Sequence, residues 1–269
     1  MQRIGLRLAY DGTRFFGFQR QPDKRTVEGE LVGVLQEIGA IRDTGSSSYR
    51  LSSRTDRGVS ALGNIISIDT EFPRKQLPKA INSMARDLWC TGTCDLPKDL
   101  DVRRAVGRTY AYYLHDEGQD LAAMQKACKL LVGKHDFSYY ARLDGRNPVR
   151  TITAFKMRRK DTVLEFLISG ESFLWNQVRR MVWAVDRVGR GSSSPSNISP
   201  EHFSLRKIGA APAENLVLVK VDIGYPFDAP EQIGRPAEEV RSRLVSSLVR
   251  ARLFEGILVQ FSKEWHSDR

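Results

Sequence analysis

The sequence predicts an α+β protein built from two ferredoxin-like (RRM-like) halves. The main observation is that the order β-α-β-β-α-β can be read twice along the chain. A second observation is the apolar content, since 41% of the 269 residues are hydrophobic and can form a sizeable core. The strands of two such halves would join in one wide, mainly antiparallel central sheet. We expect helices on one face of this sheet and an active-site cleft between the halves.

The N-terminal half, residues 1–103, begins with a strand-like alternation of apolar and polar residues. Ile4, Leu6 and Leu8 fall on one face, as in a half-buried strand. Thr26 is placed as the N-cap of a helix whose apolar residues recur at helical spacing. The other expected elements are strands at Tyr49–Ser53 and Asn64–Thr70, a helix at Lys75–Arg86 and a strand at Leu88–Leu96.

The C-terminal half, residues 104–269, is expected to repeat this order without an evident sequence repeat. The boundary lies near Asp99–Gly107, where charge rises and apolar periodicity lapses. The expected elements are strands at Arg108–His115, Val149–Arg159, Thr162–Ser169 and Leu216–Ile223, with helices at Asp120–Val132 and Trp175–Arg190. A last helix at Pro236–Leu253 and a short strand at Ile257–Phe261 complete the chain.

The chain is strongly basic, with a formal net charge of +10 and a pI near 9.7. This charge favours an anionic partner, RNA or DNA before a membrane surface, although a merely basic soluble protein would share it. No apolar run reaches the roughly 20 residues that span a bilayer, and the N-terminus has no signal-peptide pattern. The three cysteines fit a reducing compartment, and the scattered histidines lack metal-ligand spacing. We therefore expect a cytosolic protein without a metal.

The loop Ser52–Val59 carries the clearest chemical signal. Its sequence sets one carboxylate, Asp56, among arginines, hydroxyls and a glycine. Nearby positive charge favours the ionised form of a carboxylate, so we expect Asp56 to stay ionised. An anionic nucleophile in a cationic pocket suits attack on the sugar of a nucleic acid. By itself, the pattern is more typical of a turn or a helix cap.

Two further segments combine aromatic or basic side chains with regular elements. On a strand, Tyr110 and Tyr112 share one face while Tyr113 takes the other, so one face is expected to pack in the core. Arg179 and Arg180 lie near the start of an otherwise apolar helix, where a phosphate or carboxylate could bind. A solvated basic face explains the same two arginines.

These segments together resemble the TruA family of tRNA pseudouridine synthases. The matching motifs follow the family's order along nearly the whole chain: Tyr10-Asp11-Gly12 with Phe16-Gly17-Phe18-Gln19, Thr26-Val27-Glu28-Gly29, Arg54-Thr55-Asp56 with Gly58-Val59, Arg108-Thr109-Tyr110, His135-Asp136-Phe137, Ser172-Phe173-Leu174 with Val178-Arg179, and Ala211 to Leu218.

The resemblance implies a role for five residues. Asp56 matches the catalytic aspartate and Tyr110 the tyrosine that stacks on the target base. Arg179 matches the basic residue that pairs with the aspartate. Leu216 matches an apolar residue of the base pocket, and Arg54 an arginine that supports flipping of the nucleotide.

The resemblance also implies the reaction and its partners. Uridine would be isomerised to pseudouridine in the anticodon stem-loop of tRNA, at nucleotides 38 to 40, by a homodimer that uses no cofactor. The target base must leave the helical stack for this chemistry.

The chain departs from the usual family pattern at Ser52, Ser53, Arg57, Ser60 and Asn215, and also in Trp175-Asn176-Gln177, the unusual residues that precede Arg179. These departures leave the reaction class intact and open the choice of RNA site. The alternatives are therefore a pseudouridine synthase for other RNA positions and a non-catalytic RNA-binding protein with two RRM-like modules. Phosphoryl transfer lacks support, because the sequence has neither a Walker loop nor a cluster of acidic metal ligands.

Overall fold

A computed structural model describes residues 1–205, 207–230 and 234–267. The N-terminal part follows the predicted order of elements, with strands β1 (Gln2–Tyr10), β2 (Arg50–Leu51), β3 (Ser60–Thr70) and β4 (Leu88–Leu96) and helices α1 (Val27–Glu37) and α2 (Leu77–Met84). The following part contains strands β5 (Gly107–His115), β6 (Gly133–Asp136), β7 (Val149–Lys160), β8 (Val163–Gly170) and β9 (Leu216–Asp222) and helices α3 (Leu121–Leu130) and α4 (Gln177–Gly189).

These strands form one sheet of nine, in the order β4-β1-β3-β9-β5-β8-β7-β6, with β2 added beside β3. The pairing is antiparallel throughout except between β3 and β9, where Ser60 lies opposite Val217 and Ala61 opposite Leu218. The predicted α+β class with a wide, mainly antiparallel sheet is confirmed. This parallel pair brings the end of the Asp56 loop next to the beginning of β9.

The core lies where alternating strand residues meet the apolar stripes of the helices. On β1, Ile4, Leu6 and Leu8 are fully buried, as the alternation predicts. The Thr26 hydroxyl accepts a hydrogen bond from the backbone N–H of Gly29 (3.1 Å), which makes it the N-cap of α1. Burial of these apolar side chains is the main stabilising contribution.

Three differences from the predicted elements have local physical reasons. The strand expected at Tyr49–Ser53 shortens to β2, because the residues after it turn into the Asp56 loop. The short strand β6, which pairs with β7, was not predicted from its four residues. Helix α4 begins at Gln177 rather than Trp175, since Asn176 has a left-handed backbone with φ of 63°.

The structure separates into two compact units, residues 1–229 and 230–269. The second unit contains α5 (Gly234–Ser267), a single long helix. The strand predicted at Ile257–Phe261 is therefore wrong, because the helix continues through it. The three consecutive apolar residues that begin at Ile257 have by themselves a preference for a strand. They follow apolar residues at helical spacing, Val240, Leu244 and Leu248, and this longer helical periodicity outweighs the local preference. The division into halves at residue 103 stays a prediction.

Candidate active site around Asp56

The Asp56 loop leaves the sheet after β2 and returns to it at β3. Its tip is a turn in which the Asp56 carbonyl accepts a hydrogen bond from the Val59 N–H (3.1 Å). Gly58 has a φ of 86°, a conformation that strains residues with a side chain. Asp56 is half-buried, whereas the flanking Arg54 and Arg57 are exposed.

The fully buried side-chain amide of Asn64, on β3, hydrogen-bonds to the loop. The Asn64 side-chain NH₂ donates to the Ser53 carbonyl (2.8 Å) and to the Tyr10 hydroxyl (3.1 Å). Its amide oxygen accepts a hydrogen bond from the Ser52 hydroxyl (3.0 Å). The Tyr10 hydroxyl lies 2.8 Å from the Thr55 hydroxyl. Because buried polar groups are costly to leave unpaired, this network fixes one geometry for the loop.

The N-terminal aromatic and glycine motif packs directly on the same loop. Gly12 donates its N–H to the Ser60 hydroxyl (3.0 Å), and Phe18 donates its N–H to the Thr55 carbonyl (3.0 Å). Gly17 adopts a φ of 95° and passes close to the Arg57 backbone. The resemblance motif at residues 10–19 therefore supports the loop that carries Asp56.

Four of the departures from the family pattern lie in this loop or, for Ser60, directly after it, and three of them make hydrogen bonds within the protein. The Ser53 hydroxyl accepts a hydrogen bond from Arg108 Nε (3.0 Å), while Ser52 and Ser60 make the contacts described above. Arg57 differs, because it is exposed and its guanidinium carbon lies 4.4 Å from the centroid of the Phe16 ring. Arg57 is therefore the one of the four that faces outward.

Burial and nearby positive charge shift the pKa of Asp56 in opposite directions. Burial raises the pKa of its carboxyl, whereas the Arg179 charge and a hydrogen bond from the Trp175 side chain lower it, and the net effect is a raised pKa. The sequence alone indicated only that nearby positive charge would favour the ionised form of Asp56. A raised pKa makes the ionised carboxylate a stronger base and nucleophile.

Arg179 is held by the residues that flank the beginning of α4 and β9. Its Nε donates to the Ala211 carbonyl (2.6 Å) and its Nη1 to the Asn176 side-chain oxygen (3.1 Å). The Arg179 carbonyl in turn accepts a hydrogen bond from the Ala211 N–H (3.1 Å). The guanidinium therefore acts on Asp56 as a charge of fixed position.

Tyr110 and Leu216 are brought to the same region by neighbouring strands β5 and β9. Tyr110 is buried, and its ring meets that of Phe173 edge to face at 5.2 Å. Burial raises its pKa to about 12, and the nearby Asp56 charge adds to the increase. Leu216 is buried opposite Tyr112. As predicted, Tyr113 on the other face of β5 is exposed.

Arg54 lies at the exposed edge of the loop. Its Nη1 contacts the side-chain oxygen of Gln19 at 3.3 Å. A single long hydrogen bond on the surface adds little rigidity, so the guanidinium is free to change partners.

The sequence motifs do not include Asn64, and they include Trp175 only as an unusual residue before Arg179. The signal available for Asn64 was a polar amide inside the apolar run of β3, which requires buried hydrogen-bond partners. Its partners are more than ten residues away and follow only from the fold.

A cavity in the described part of the chain lies apart from this site. A cavity of about 670 Å³ is lined by Arg7, Leu62, Lys220, Phe227 and neighbouring residues, and by none of the five expected site residues. Within the described ranges, no three His, Cys, Asp or Glu side chains come together as metal ligands. In the same ranges no helix is both long and apolar enough to cross a membrane.

The comparisons with known proteins agree on one family. A family model described as tRNA pseudouridine synthase matches residues 127–226. The tRNA pseudouridine synthase A of Thermococcus sibiricus is 39% identical over 264 residues, covering 96% of this chain and 99% of that protein. Those of Thermococcus kodakarensis (39% over 268 residues; 96% and 100% covered) and Methanoculleus marisnigri (39% over 230 residues; 83% and 84% covered) are similar. With this identity over nearly its whole length, the chain belongs to the tRNA pseudouridine synthase A family.

Proposed function

We propose that the protein isomerises uridine to pseudouridine in the anticodon stem-loop of tRNA, at nucleotides 38 to 40, with Asp56 as the catalytic nucleophile. Family membership supplies the reaction class, an isomerisation by a tRNA pseudouridine synthase. The observation that supports the role of Asp56 is its half-buried carboxylate, under the charge of Arg179 and close enough to Tyr110 to raise the pKa of that phenol.

The reaction needs no oxidant and no net addition of atoms. The C1′–N1 bond of the uridine breaks, the uracil turns, and a C1′–C5 bond forms. N1 gains a proton and C5 releases one to solvent. Attack of the carboxylate on C1′ and removal of the C2′ proton both require Asp56 to be ionised and aligned with the sugar. Arg179 supports the ionised form.

Tyr110 and Leu216 are proposed to hold the uracil while it is detached from the sugar. Tyr110 is fixed by its edge contact with Phe173, so its ring can offer a preset stacking surface. Leu216 adds an apolar wall from the adjacent strand. Their combined effect would keep the base from leaving before C5 is rejoined.

Arg54 is proposed to support flipping of the target nucleotide. It is exposed and charged, and among the described residues its side chain is restrained at Gln19 alone, so it can enter the space that an extruded base leaves. Extrusion costs a few kcal/mol in a stem and less in an unpaired strand. An Arg54→Ala variant should therefore lose more activity on folded tRNA than on a short unstructured RNA with the same uridine.

A tritium-release assay tests the catalytic assignment. With tRNA tritiated at uracil C5, the native protein should release tritium to water, and Asp56→Asn, which keeps the side-chain size, should release none while still binding tRNA. Asp43→Asn is the matched control, since it removes the same charge from an exposed turn. Release by Asp56→Asn at the native rate would refute the role of Asp56.

The same assay separates the alternatives. A native protein that binds tRNA and releases no tritium would be the RNA-binding protein with two RRM-like modules. Release from a uridine outside nucleotides 38 to 40, located by mapping the modified base, would instead indicate a synthase for other RNA positions.

The homodimer and the cytosolic location are part of the same proposal. The three cysteines are free and buried, which suits a reducing compartment. Light scattering on the purified protein should give twice the mass of 30.5 kDa that the chain has by itself. A monomer that is fully active on tRNA would contradict the dimer.

A further inference from the structure

Trp175 stands directly before α4, in the segment that also contacts Tyr110. It pairs with Arg142 in an antiparallel bridge, so the backbone here is extended. Alternate residues of an extended segment point to the same side. Leu174 is buried in the core, whereas Phe173 and Trp175 on either side of it are less buried. Because the Phe173 ring meets the Tyr110 ring at 5.2 Å, Trp175 lies at the edge of the candidate active site.

The indole ring of Trp175 offers one of its faces to solvent. The guanidinium carbon of Arg142 lies 4.5 Å from the ring centroid and covers the other face. Among the residues that the structure describes, no second cation and no aromatic ring lies over this indole. The residue is 41% exposed, which for a tryptophan leaves room for a planar ligand. The open face is therefore available for stacking.

The ring is held in place by the segment that carries Arg142. The Arg142 N–H donates to the Trp175 carbonyl (3.1 Å), and Arg142 Nε donates to Asp144 Oδ1 (3.1 Å). Arg180 Nη1 donates to the Ala141 carbonyl (3.2 Å), which ties this segment to α4. A cation against the face of an indole further restricts the ring. Stacking on a ring that is already ordered costs little conformational entropy.

The residues after the indole connect it to the Asp56 loop. The Asn176 side-chain oxygen accepts a hydrogen bond from Arg179 Nη1 (3.1 Å). Arg179 Nε donates to the Ala211 carbonyl (2.6 Å). Two residues further along, the Cβ of Ala213 lies 3.4 Å from the position of a Cβ built on Gly58. The indole is thus anchored to the same framework as the loop.

We propose that Trp175 is a stacking platform for a base of the RNA substrate that lies next to the target uridine. The inference rests on the proposed function, in which the uridine is extruded and Tyr110 holds its uracil. Extrusion removes one stacking partner from the neighbouring base, and a fixed indole face can replace that partner. Every base has a π face, so the contact does not depend on the identity of the neighbour.

This platform would bear on the choice of RNA site. Trp175 belongs to the residues at which the chain departs from the usual family pattern. A base fixed beside the extruded nucleotide sets the register of the RNA relative to Asp56. The indole would therefore help to determine which uridine reaches the carboxylate.

An abasic series of RNA hairpins tests the contact by filter binding. Anticodon stem-loop hairpins that each lack one base, at or beside nucleotides 38 to 40, are compared with the intact hairpin. We expect the native protein to bind about tenfold more weakly when one neighbour of the target uridine is abasic. Trp175→Leu keeps an apolar side chain and removes the π face, so it should bind that hairpin and the intact one about equally.

Tyr225→Leu is the matched control for Trp175→Leu. Tyr225 is exposed to nearly the same extent, 39%, and lines the separate cavity of about 670 Å³. This variant should keep the native difference between the intact and the abasic hairpin. An equal loss of that difference in Tyr225→Leu would count against a contact specific to Trp175.

Trp175→Phe provides a second variant if leucine disrupts the fold, which circular dichroism would reveal. Its smaller ring should retain part of the difference between the two hairpins, roughly threefold. Tryptophan emission gives an independent readout, because stacking on a base quenches the indole. Emission of the native protein should fall more with the intact hairpin than with the abasic one, and Trp175→Phe should lack this distinction.

Two results separate this inference from the proposed function. An abasic penalty of the same size in the native protein, Trp175→Leu and Trp175→Phe would overturn the platform, while tritium release that requires Asp56 would leave the proposed function intact. Release by Asp56→Asn at the native rate would instead overturn the catalytic assignment. The binding comparison would still decide the role of Trp175 in that case, because binding requires no chemical step.

Discussion

Gly12 and Val59 are in backbone contact, so close that a Cβ on Gly12 would lie 2.0 Å from the Val59 carbonyl oxygen. No rotamer change relieves this overlap, because the opposing atoms are backbone. Gly12→Ala should therefore displace the Asp56 loop, lower the free energy of unfolding by about 1–3 kcal/mol or more, and reduce kcat. Thermal melts and tritium release measure the two effects.

Gly33→Ala is the control for this variant. Gly33 lies in α1, and a Cβ added there would meet nothing within 4 Å, so alanine should be neutral or stabilise the helix. If Gly12→Ala proved as stable as Gly33→Ala, the close approach of Gly12 to Val59 would not be required for the stability of the fold.

Asn64 should be the most sensitive polar residue beneath the loop. Asn64→Ala leaves the Ser53 carbonyl and the Ser52 hydroxyl without their buried partner, and each such loss costs about 1–3 kcal/mol. Urea unfolding should show this loss, whereas Asn147→Ala, at an exposed amide, should change little. An Asn64→Ala protein as stable as the native one would show that the network is replaceable.

Arg57 is predicted to contact the RNA backbone. It is exposed beside Asp56 and rests on the Phe16 ring, with its N–H groups directed to no protein acceptor within the described residues. Arg57→Gln should weaken tRNA binding and reduce the slope of log affinity against log salt by about one. Filter binding over a salt series measures this slope.

Lys160→Gln is the matched control for Arg57→Gln. Lys160 is the last residue of β7 and lies at the same end of the sheet as His115 of β5. His115 is five residues from Tyr110, which corresponds to about 16 Å along a strand. Lys160 is therefore distant from the Tyr110 region of the candidate site. An unchanged slope in Arg57→Gln, or the same decrease in Lys160→Gln, would count against a specific phosphate contact.

The cysteines should be inert in the native protein. Burial raises the pKa of Cys90 and Cys128 to about 12 and that of Cys94 to about 11. The thiolate is the form that attacks a disulfide reagent, so such a reagent at pH 8 should label none of the three before denaturation and all three after it. Fast labelling of the native protein would show that the surrounding structure opens.

The same pKa shifts predict a loss of stability in alkali. Below pH 9 the folded and the unfolded chain both retain the thiol protons. Above it the unfolded chain loses them first, since its thiols keep the ordinary value of 9.0. The free energy of unfolding should therefore decrease as pH rises from 9 toward 12. Substituting Cys128 by Ala should reduce this decrease.

Sequence periodicity predicted the elements whose burial pattern it directly encodes. The alternation of β1 and the paired faces of Tyr110 and Tyr112 depend only on side-chain direction along a strand. The end of the chain shows the limit, because Ile257–Phe261 has the local composition of a strand but continues the helix α5. Short segments such as β6 depend on a partner strand and carry too few residues for a period.

Sequence motifs predict which residues form the candidate site, whereas the electrostatics of that site depend on the fold. Asp56, Arg54 and Tyr110 carry recognisable motifs, but the raised pKa of Asp56 depends on burial that only the packed loop produces. The contacts of Asn64 with Tyr10 and of Arg179 with Ala211 join distant parts of the chain. Pairwise proximity of this kind is a property of the fold and not of any local pattern.

The position of β9 has a consequence for how the protein is made. This strand lies between β3 and β5 at the centre of the sheet, yet it is the last of the nine to leave the ribosome. Until it emerges, β3 has an open edge beside the Asp56 loop, and Ala211, which holds Arg179, is synthesised only five residues before β9 begins. The Asp56 loop is therefore translated early and completed late, and a truncated chain that ends before Leu216 should present an unpaired strand edge to chaperones or to other nascent chains.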